Sequence, residues 1–381
     1  MDCHYKLANK VNATGTQRGG IMQRRNFLKG AGIVAASAGL AAPAIAQTPT
    51  IKWRMATSWP RSLDTLYGSA VAMCERIGQI TDGKFQIQVF AGGEIVPPLQ
   101  VFDAAANNTV ECSHTLTSYF IGKNTAYAFD GGLPFGLNAR QQASWLYYGG
   151  GLELLRNLFG KAGLVQVPVG NVGVQMGGWF RKEINSVEDL KGLKFRIGGL
   201  GGTVFSKLGV VPQQIGAADI YSSLERGTID AAEWIGPHDD EKLGFHKVAK
   251  YYYTPGWWEG SAQITSLVNK GAWEGLPKEF RIAYETAANE QMTMMLASYD
   301  AKNPSALRRL VAGGAEIRAF PRDVMDACFK ASQETFDDLS AKNPDFKTIY
   351  EPWTKFANDS NAWFRVAEYR LDSARFSAPS R

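Results

Sequence analysis

The chain has 381 residues, 45% of them hydrophobic and 12% aromatic, with 41 Lys/Arg against 36 Asp/Glu and a net charge of +5. This composition excludes wholesale disorder and supplies enough apolar material for two or three domain-sized units. The positive excess sits at one end. Residues 1–46 hold six Lys/Arg and one Asp, leaving 35 of each sign in the remainder, so the balance gives no argument for binding nucleic acid or a membrane surface.

The first 46 residues read as a leader. Gln23-Arg24-Arg25-Asn26-Phe27-Leu28-Lys29 precedes a small apolar run from Ala31 to Ala42, followed by Ala44-Ile45-Ala46. The run is too short and too rich in Ala and Gly to span a membrane, and it has the form of a secretory signal peptide. The arginine pair before Phe-Leu-Lys is of twin-arginine (Tat) type; an ordinary Sec signal with a chance pair is the alternative. Residues 1–21 lack signal character, which makes Met22 a candidate start. Cys3 falls in the leader. Cys74, Cys112 and Cys328 are odd in number and fit no CxxC or zinc spacing, and Cys74 and Cys112 read as buried thiols.

After the leader the pattern alternates. Ile51 to Ala56 reads as a strand. Leu63, Leu66, Tyr67, Ala70, Met73, Cys74, Ile77 and Ile80 recur at helical spacing, and Phe85 to Phe90 alternates as a half-buried strand. A helix opened by Pro97 and Pro98 and a strand from Glu111 to Thr115 complete a strand–helix–strand–helix–strand unit, which predicts a largely parallel sheet. Leu164 to Gly170 and Val174 to Arg181 read as strands, the second crossing into another domain. Ser186-Val-Glu-Asp189 resembles a capping box. A second α/β unit then runs through Lys194–Ile197, a helix from Thr203, Val211–Ile215, a helix from Ala217 to Arg226, and Ile229–Trp234. Tyr251–Tyr253 and Gln263–Val268 are predicted to return to the first domain. A long helix from Pro277 is expected to break before Pro304, and two more helices follow over residues 321–342 and 348–372. The last carries Phe356, Trp363, Phe364, Val366 and Tyr369, more aromatic surface than an exposed helix needs. The expected organisation is α/β in two domains, followed by C-terminal helices. Domain I spans 47–172 plus 262–320, domain II spans 173–261, and C-terminal helices occupy 321–381.

The chemistry-bearing residues are few. There is no HExxH, GxSxG, Walker or Rossmann motif. His114 reads as a satisfied core residue, and His238 and His246 read as surface. Arg196, inside the short apolar strand Lys194–Ile197, requires an anionic partner. The residues leave three candidates open: Glu233, Glu259, or an acid that is not part of the chain. One arginine against two glutamates leaves a negative charge over and calls for a cation. Glu233, a backbone carbonyl near Trp234 and the amide of Gln175 are hard oxygen donors suited to Na⁺ or Ca²⁺. Trp179, Trp234, Trp257 and Trp258 offer apolar walls for a small ligand. Gly198-Gly-Leu-Gly-Gly202 has no following Lys and reads as a close turn rather than an anion cradle.

Two runs, LKGLKFRIGG around Arg196 and YSSLERGTIDAAEW ending at Glu233-Trp234, resemble the substrate-binding subunits of TRAP transporters, the DctP-type family. Asn171, Gln175, Glu233-Trp234 and Trp258-Glu259 resemble the subgroup of receptors for 2-oxo acids such as pyruvate and for 2-hydroxy acids such as lactate. The resemblance implies a periplasmic receptor that delivers its ligand to a membrane permease, with the two-domain periplasmic binding protein fold, hinge strands, a long connecting helix and C-terminal helices. It implies that Arg196 pairs with the substrate carboxylate, that Asn171 and Tyr119 hydrogen-bond the carboxylate or 2-oxo group, and that Glu259 completes the shell. It also implies that Gln175, Glu233 and the Trp234 carbonyl hold the metal ion, and that the C-terminal helices form a homodimer. A lactate-type receptor using Ca²⁺, and a periplasmic metal-dependent enzyme acting on oxo acids, are the competing readings. The enzyme would need a general base near the metal, and no spare histidine provides one.

Overall fold

The structure is a computed structural model and describes residues 50–378; the leader and its twin-arginine motif lie outside the described residues. The strands are β1 (Ile51–Thr57), β2 (Phe85–Phe90), β3 (Cys112–Leu116), β4 (Leu164–Asn171), β5 (Gly178–Phe180), β6 (Lys194–Arg196), β7 (Val211–Gln213), β8 (Ala231–Ala232), β9 (Tyr251–Thr254), β10 (Gln263–Asn269) and β11 (Glu316–Ala319). They form two sheets, ordered β2-β1-β3-β10-β4 and β11-β9-β5-β8-β6-β7.

The sheets share one plan. In the first, β1 is parallel to β2 and β3, and β10 lies antiparallel between β3 and β4. In the second, β6 is parallel to β7 and β8, and β5 lies antiparallel between β8 and β9. Each antiparallel strand arrives from the opposite sheet: β5 follows β4, and β10 follows β9. Both sheets are therefore largely parallel, as expected from the sequence, each with this one antiparallel strand inserted by the exchange. β9, expected in the first sheet, pairs in the second, where β11 also joins it in parallel. β5 is shorter than the predicted strand because Gly173 and Gly178, at φ +79° and +89°, turn the chain on entry.

Alternation explains the first core. Phe85 and Ile87 face inward while Gln86 and Gln88 face solvent. Phe85 stacks on Phe280 at 5.5 Å and meets Trp53 edge-on at 5.0 Å, each such burial contributing about 1.5–3 kcal/mol. Phe280 belongs to a 35-residue helix, Lys278–Ala312, which packs on β4, on the helix Leu66–Ile80 and on the helix Pro237–Leu243. Pro304 does not end it. A proline removes one donor and crowds one turn, and the buried Tyr299, Ala306 and Leu310 on either side keep the helix packed through that point.

The C-terminal region forms Arg322–Lys342, Pro344–Val366 and Glu368–Phe376. The single predicted last helix is thus divided at Ala367, whose ψ of −78° departs from helical geometry. Phe346, Ile349 and Trp353 pack against Phe129 and Phe336, whereas Trp363, Val366, Tyr369, Leu371 and Phe376 are exposed.

His238 differs from its expected surface place. It is buried, and its Nε2 lies 2.9 Å from Asp64 Oδ1, which also pairs with Lys242. His246 is half-buried rather than free on the surface. Cys74, Cys112 and Cys328 are buried and unbridged.

Candidate ligand-binding site

The carboxyl ends of strands from both sheets meet at one cavity, the usual place for a ligand in α/β sheets. β6 ends on Arg196. Its register partner in β8 is Ala232, so Glu233 emerges beside it, and Glu233 N donates to Arg196 O at 3.1 Å. From the first sheet, Trp59 follows β1, Tyr119 follows β3 and Val172 follows β4. The crossings supply Gln175 and the segment Trp258-Glu259.

Arg196 is only 2% exposed. Its Nε donates to Ile215 O at 3.0 Å, and its Nη1 donates to Glu233 O at 2.7 Å and to the Glu233 carboxylate. The guanidinium lies 4.9 Å from the centre of the Trp234 ring, a cation–π contact. Nη2 has no hydrogen-bond partner among the described residues. Glu233 Oε1 also accepts from Gly198 N at 3.3 Å. Gln175 Nε2 donates to Glu259 Oε2 at 2.7 Å, which leaves Gln175 Oε1 buried without a partner among the described residues.

Burial pushes the Glu233 carboxyl up, with the Arg196 charge opposing it. Glu259 is pushed well above the carboxylate range, first by burial and then by the charge on Glu233. Burial also raises the Tyr119 phenol, against the pull of Arg196. One guanidinium therefore faces two buried carboxyls, and burial disfavours the charged form of the second unless a further positive charge arrives. The glycines beside Arg196 permit this crowding. A Cβ on Gly201 would stand 2.5 Å from Trp258 Cβ, and one on Gly199, at φ +62°, would stand 3.1 Å from Ser118 Cβ.

The cavity is lined by Trp59, Leu116, Tyr119, Val172, Gln175, Arg196, Gly198, Glu233, Trp234, Ile235, Trp258, Glu259, Ala262 and Ile264. Six of the seven expected site residues are therefore brought together: Arg196, Tyr119, Glu233, Glu259, Gln175 and Trp234. Asn171 is not brought to this wall. Its Oδ1 accepts from Gly173 N at 2.9 Å, holding the turn into the crossing, and the residue lines a separate groove with Tyr147, Asn289 and Met292. The internal partner of Arg196 is Glu233, and that ion pair lies at the junction of the two sheets. Trp179 and Trp257 are core residues, Trp179 stacked on Tyr252 at 4.0 Å and Trp257 on Phe135 at 5.2 Å. The sequence reading did not single out Trp59, Val172 or Ile264. Trp59 had the same signal as Tyr119, a place just past the end of a central strand.

Two lobes built to one plan, exchanging strands around a buried polar cavity at their facing strand ends, define a two-lobed solute receptor. Residues 55–343 match the family described as bacterial extracellular solute-binding protein, family 7 (DctP), and the chain belongs to it. Its function is binding, not catalysis. The chain is 48% identical over 359 residues to a monocarboxylate 2-oxoacid-binding periplasmic protein of Nostoc sp., covering 92% of this chain and 98% of that one. It resembles the crystal structure of a TRAP transporter solute-binding protein from Bordetella bronchiseptica, described as a dimer with calcium and picolinate in one active site and an apo second site. That likeness has 63% identity, a TM-score of 0.86, and coverage of 86% of this chain and 98% of that one. A TRAP periplasmic solute-binding protein from Pseudoalteromonas atlantica, solved with sodium and pyruvate, is 34% identical with a TM-score of 0.83, covering 87% and 100%.

Proposed function

We propose that the chain is a periplasmic TRAP receptor that binds a small 2-oxo monocarboxylate of the pyruvate type together with a hard cation and delivers it to the membrane permease. The observation that carries this reading is the charge balance of the buried cluster. One guanidinium faces two carboxyls, and the unpaired Gln175 Oε1 stands among them. These donors are oxygens, which fit Na⁺ or Ca²⁺ and not a soft metal. Gln175, Glu233 and the Trp234 carbonyl would hold the cation, which supplies the positive charge that both carboxyls need to ionise.

The ligand carboxylate takes the Nη2 side of Arg196, with Tyr119 donating to its oxygens and Glu259 closing the shell. Among the described residues Arg196 is the sole cationic side chain on the cavity wall, so a second carboxylate would be buried without a partner. This favours a monocarboxylate. The cavity walls are almost fully buried, with Trp59, Arg196 and Trp258 each no more than 2% exposed. Entry therefore requires the lobes to part.

The leader directs export through the twin-arginine route, and the exposed aromatic face from Trp363 to Phe376 joins two copies. The relative from Pseudoalteromonas atlantica with sodium and pyruvate, and the one from Bordetella bronchiseptica with calcium and picolinate, support the ligand class and the cation. Titration calorimetry of the purified chain with pyruvate in Na⁺, in Ca²⁺ and after chelation tests the reading. One-to-one binding that needs a cation is expected, and pyruvate at a hundred times its Kd should add about 2.7 kcal/mol of stability. Tight binding of lactate with no response to pyruvate would move the ligand class to 2-hydroxy acids. Turnover of the oxo acid would overturn the receptor assignment.

A further inference from the structure

The charged groups of the cavity come from the second sheet and the crossings, so a ligand with its carboxylate on Arg196 must direct its carbon chain the other way. That direction leads to Trp59, Leu116, Ala262 and Ile264. Three of these are aliphatic or small and are held by packing alone. Trp59 is the largest, is 1% exposed, and is tied down: its Nε1 donates to His114 Nδ1 at 2.8 Å. The ring meets Trp234 of the opposite lobe edge-on at 6.2 Å and Tyr119 at the same distance.

His114 is suited to this hold. It is fully buried in β3, and Ser58 N donates to its carbonyl at 3.1 Å, so the residue before Trp59 is itself tied to the His114 backbone. Its Nε2 lies 3.5 Å from Ser69 Oγ, and that hydroxyl donates to Leu66 O at 3.0 Å. A proton on Nε2 leaves Nδ1 as an acceptor for the indole. Burial drives the imidazole down to about 3, so it stays neutral and keeps that acceptor. Turning Trp59 aside would strand a buried N–H and a buried ring nitrogen together.

We infer that Trp59 is the residue that limits ligand chain length, and that His114 is a positioning residue that enforces the limit by fixing the indole. This rests on the 2-oxo acid reading of the site and adds the basis of its size selectivity. A short acyl group fits in front of the fixed ring, whereas a branched chain of four or more carbons runs into it.

The test is the ratio of affinities for 4-methyl-2-oxopentanoate and pyruvate, measured by calorimetry on full-length protein in saturating Na⁺ or Ca²⁺. Trp59→Phe should shift the ratio at least tenfold toward the branched acid. His114→Leu, which leaves Trp59 in place but removes its acceptor, should shift it at least threefold in the same direction. His114→Asn, whose amide oxygen can replace Nδ1, should stay within twofold of the native ratio. A merely structural role would weaken both ligands in parallel and leave the ratio fixed, and that result in the folded Trp59→Phe and His114→Leu proteins overturns the inference. If Trp59→Phe does not fold, Trp59→Tyr and the two His114 variants decide by the same ratio. Failure of the native protein to bind either acid would instead count against the ligand class proposed above.

Discussion

The two lobes have the same strand plan but bring different material to the cavity. The second lobe contributes Arg196 and Glu233, charged groups set at the ends of two-residue and three-residue strands and crowded by glycines. The first contributes Trp59, Leu116, Val172, Ala262 and Ile264, which carry no charge at all. The crossings add Gln175 and Glu259, hydrogen-bonded to each other. On the proposed function one topology serves two tasks: one lobe supplies the electrostatics that recognise a carboxylate, and the other shapes the space for its carbon chain. Where buried charges are concentrated, the fold depends on their mutual compensation. Where the wall is apolar, it depends on packing.

The largest expected effect breaks the charged side. Arg196→Ala should abolish pyruvate binding in calorimetry and lower stability by roughly 3–5 kcal/mol, because Glu233 is left buried without its partner. Adding Glu233→Gln should recover much of the stability in urea titrations but none of the binding. A variant that still binds pyruvate at native affinity would remove the asymmetry between the lobes.

Next comes the crossing. Gln175→Leu should raise the cation concentration needed for half-maximal pyruvate binding by about tenfold or more, read from titrations at a series of Na⁺ or Ca²⁺ concentrations. An unchanged cation requirement would take Gln175 out of the ion's shell.

The first lobe has its own buried acid, Asp130, placed away from the cavity. Its Oδ1 accepts from Gln166 Nε2 at 2.7 Å, and burial raises it to about 7. A raised carboxyl favours the folded state while it is protonated in both states. Its contribution is thus present below the unfolded value near 4 and falls by about 1.4 kcal/mol per pH unit until about 7. Asp130→Asn should flatten the fall in urea midpoint across that window and leave ligand affinity unchanged. The smallest effect on binding is expected from Trp363→Ser combined with Tyr369→Ser. Sedimentation should show loss of the proposed dimer, while the Kd for pyruvate stays within about twofold, since neither residue lines the cavity.

The charged half of the site was legible because charge stands out in an apolar strand. Arg196 between Phe195 and Ile197, and Glu233 after Ala231-Ala232, are anomalies in sequence as well as in space. The apolar half was not legible, since Trp59 and Ile264 look like any core residue until the second lobe is placed opposite them. The exchange of β5 and β10 escaped for a related reason. A strand of three residues such as Gly178–Phe180 carries no periodicity, and its direction is set by partners distant in the chain. Pro304 shows the converse, a strong local rule overridden by tertiary packing.

The three buried cysteines carry a further consequence. Burial pushes the Cys112 and Cys328 thiols up to about 12 and Cys74 well above its ordinary value. At neutral pH essentially no thiolate is available, so these sulfurs neither attack disulfides nor climb the oxidation ladder readily. A receptor working among oxidants outside the cytoplasm can therefore keep unpaired sulfur without a covalent brace, provided the sheets that cover it stay shut each time the lobes part.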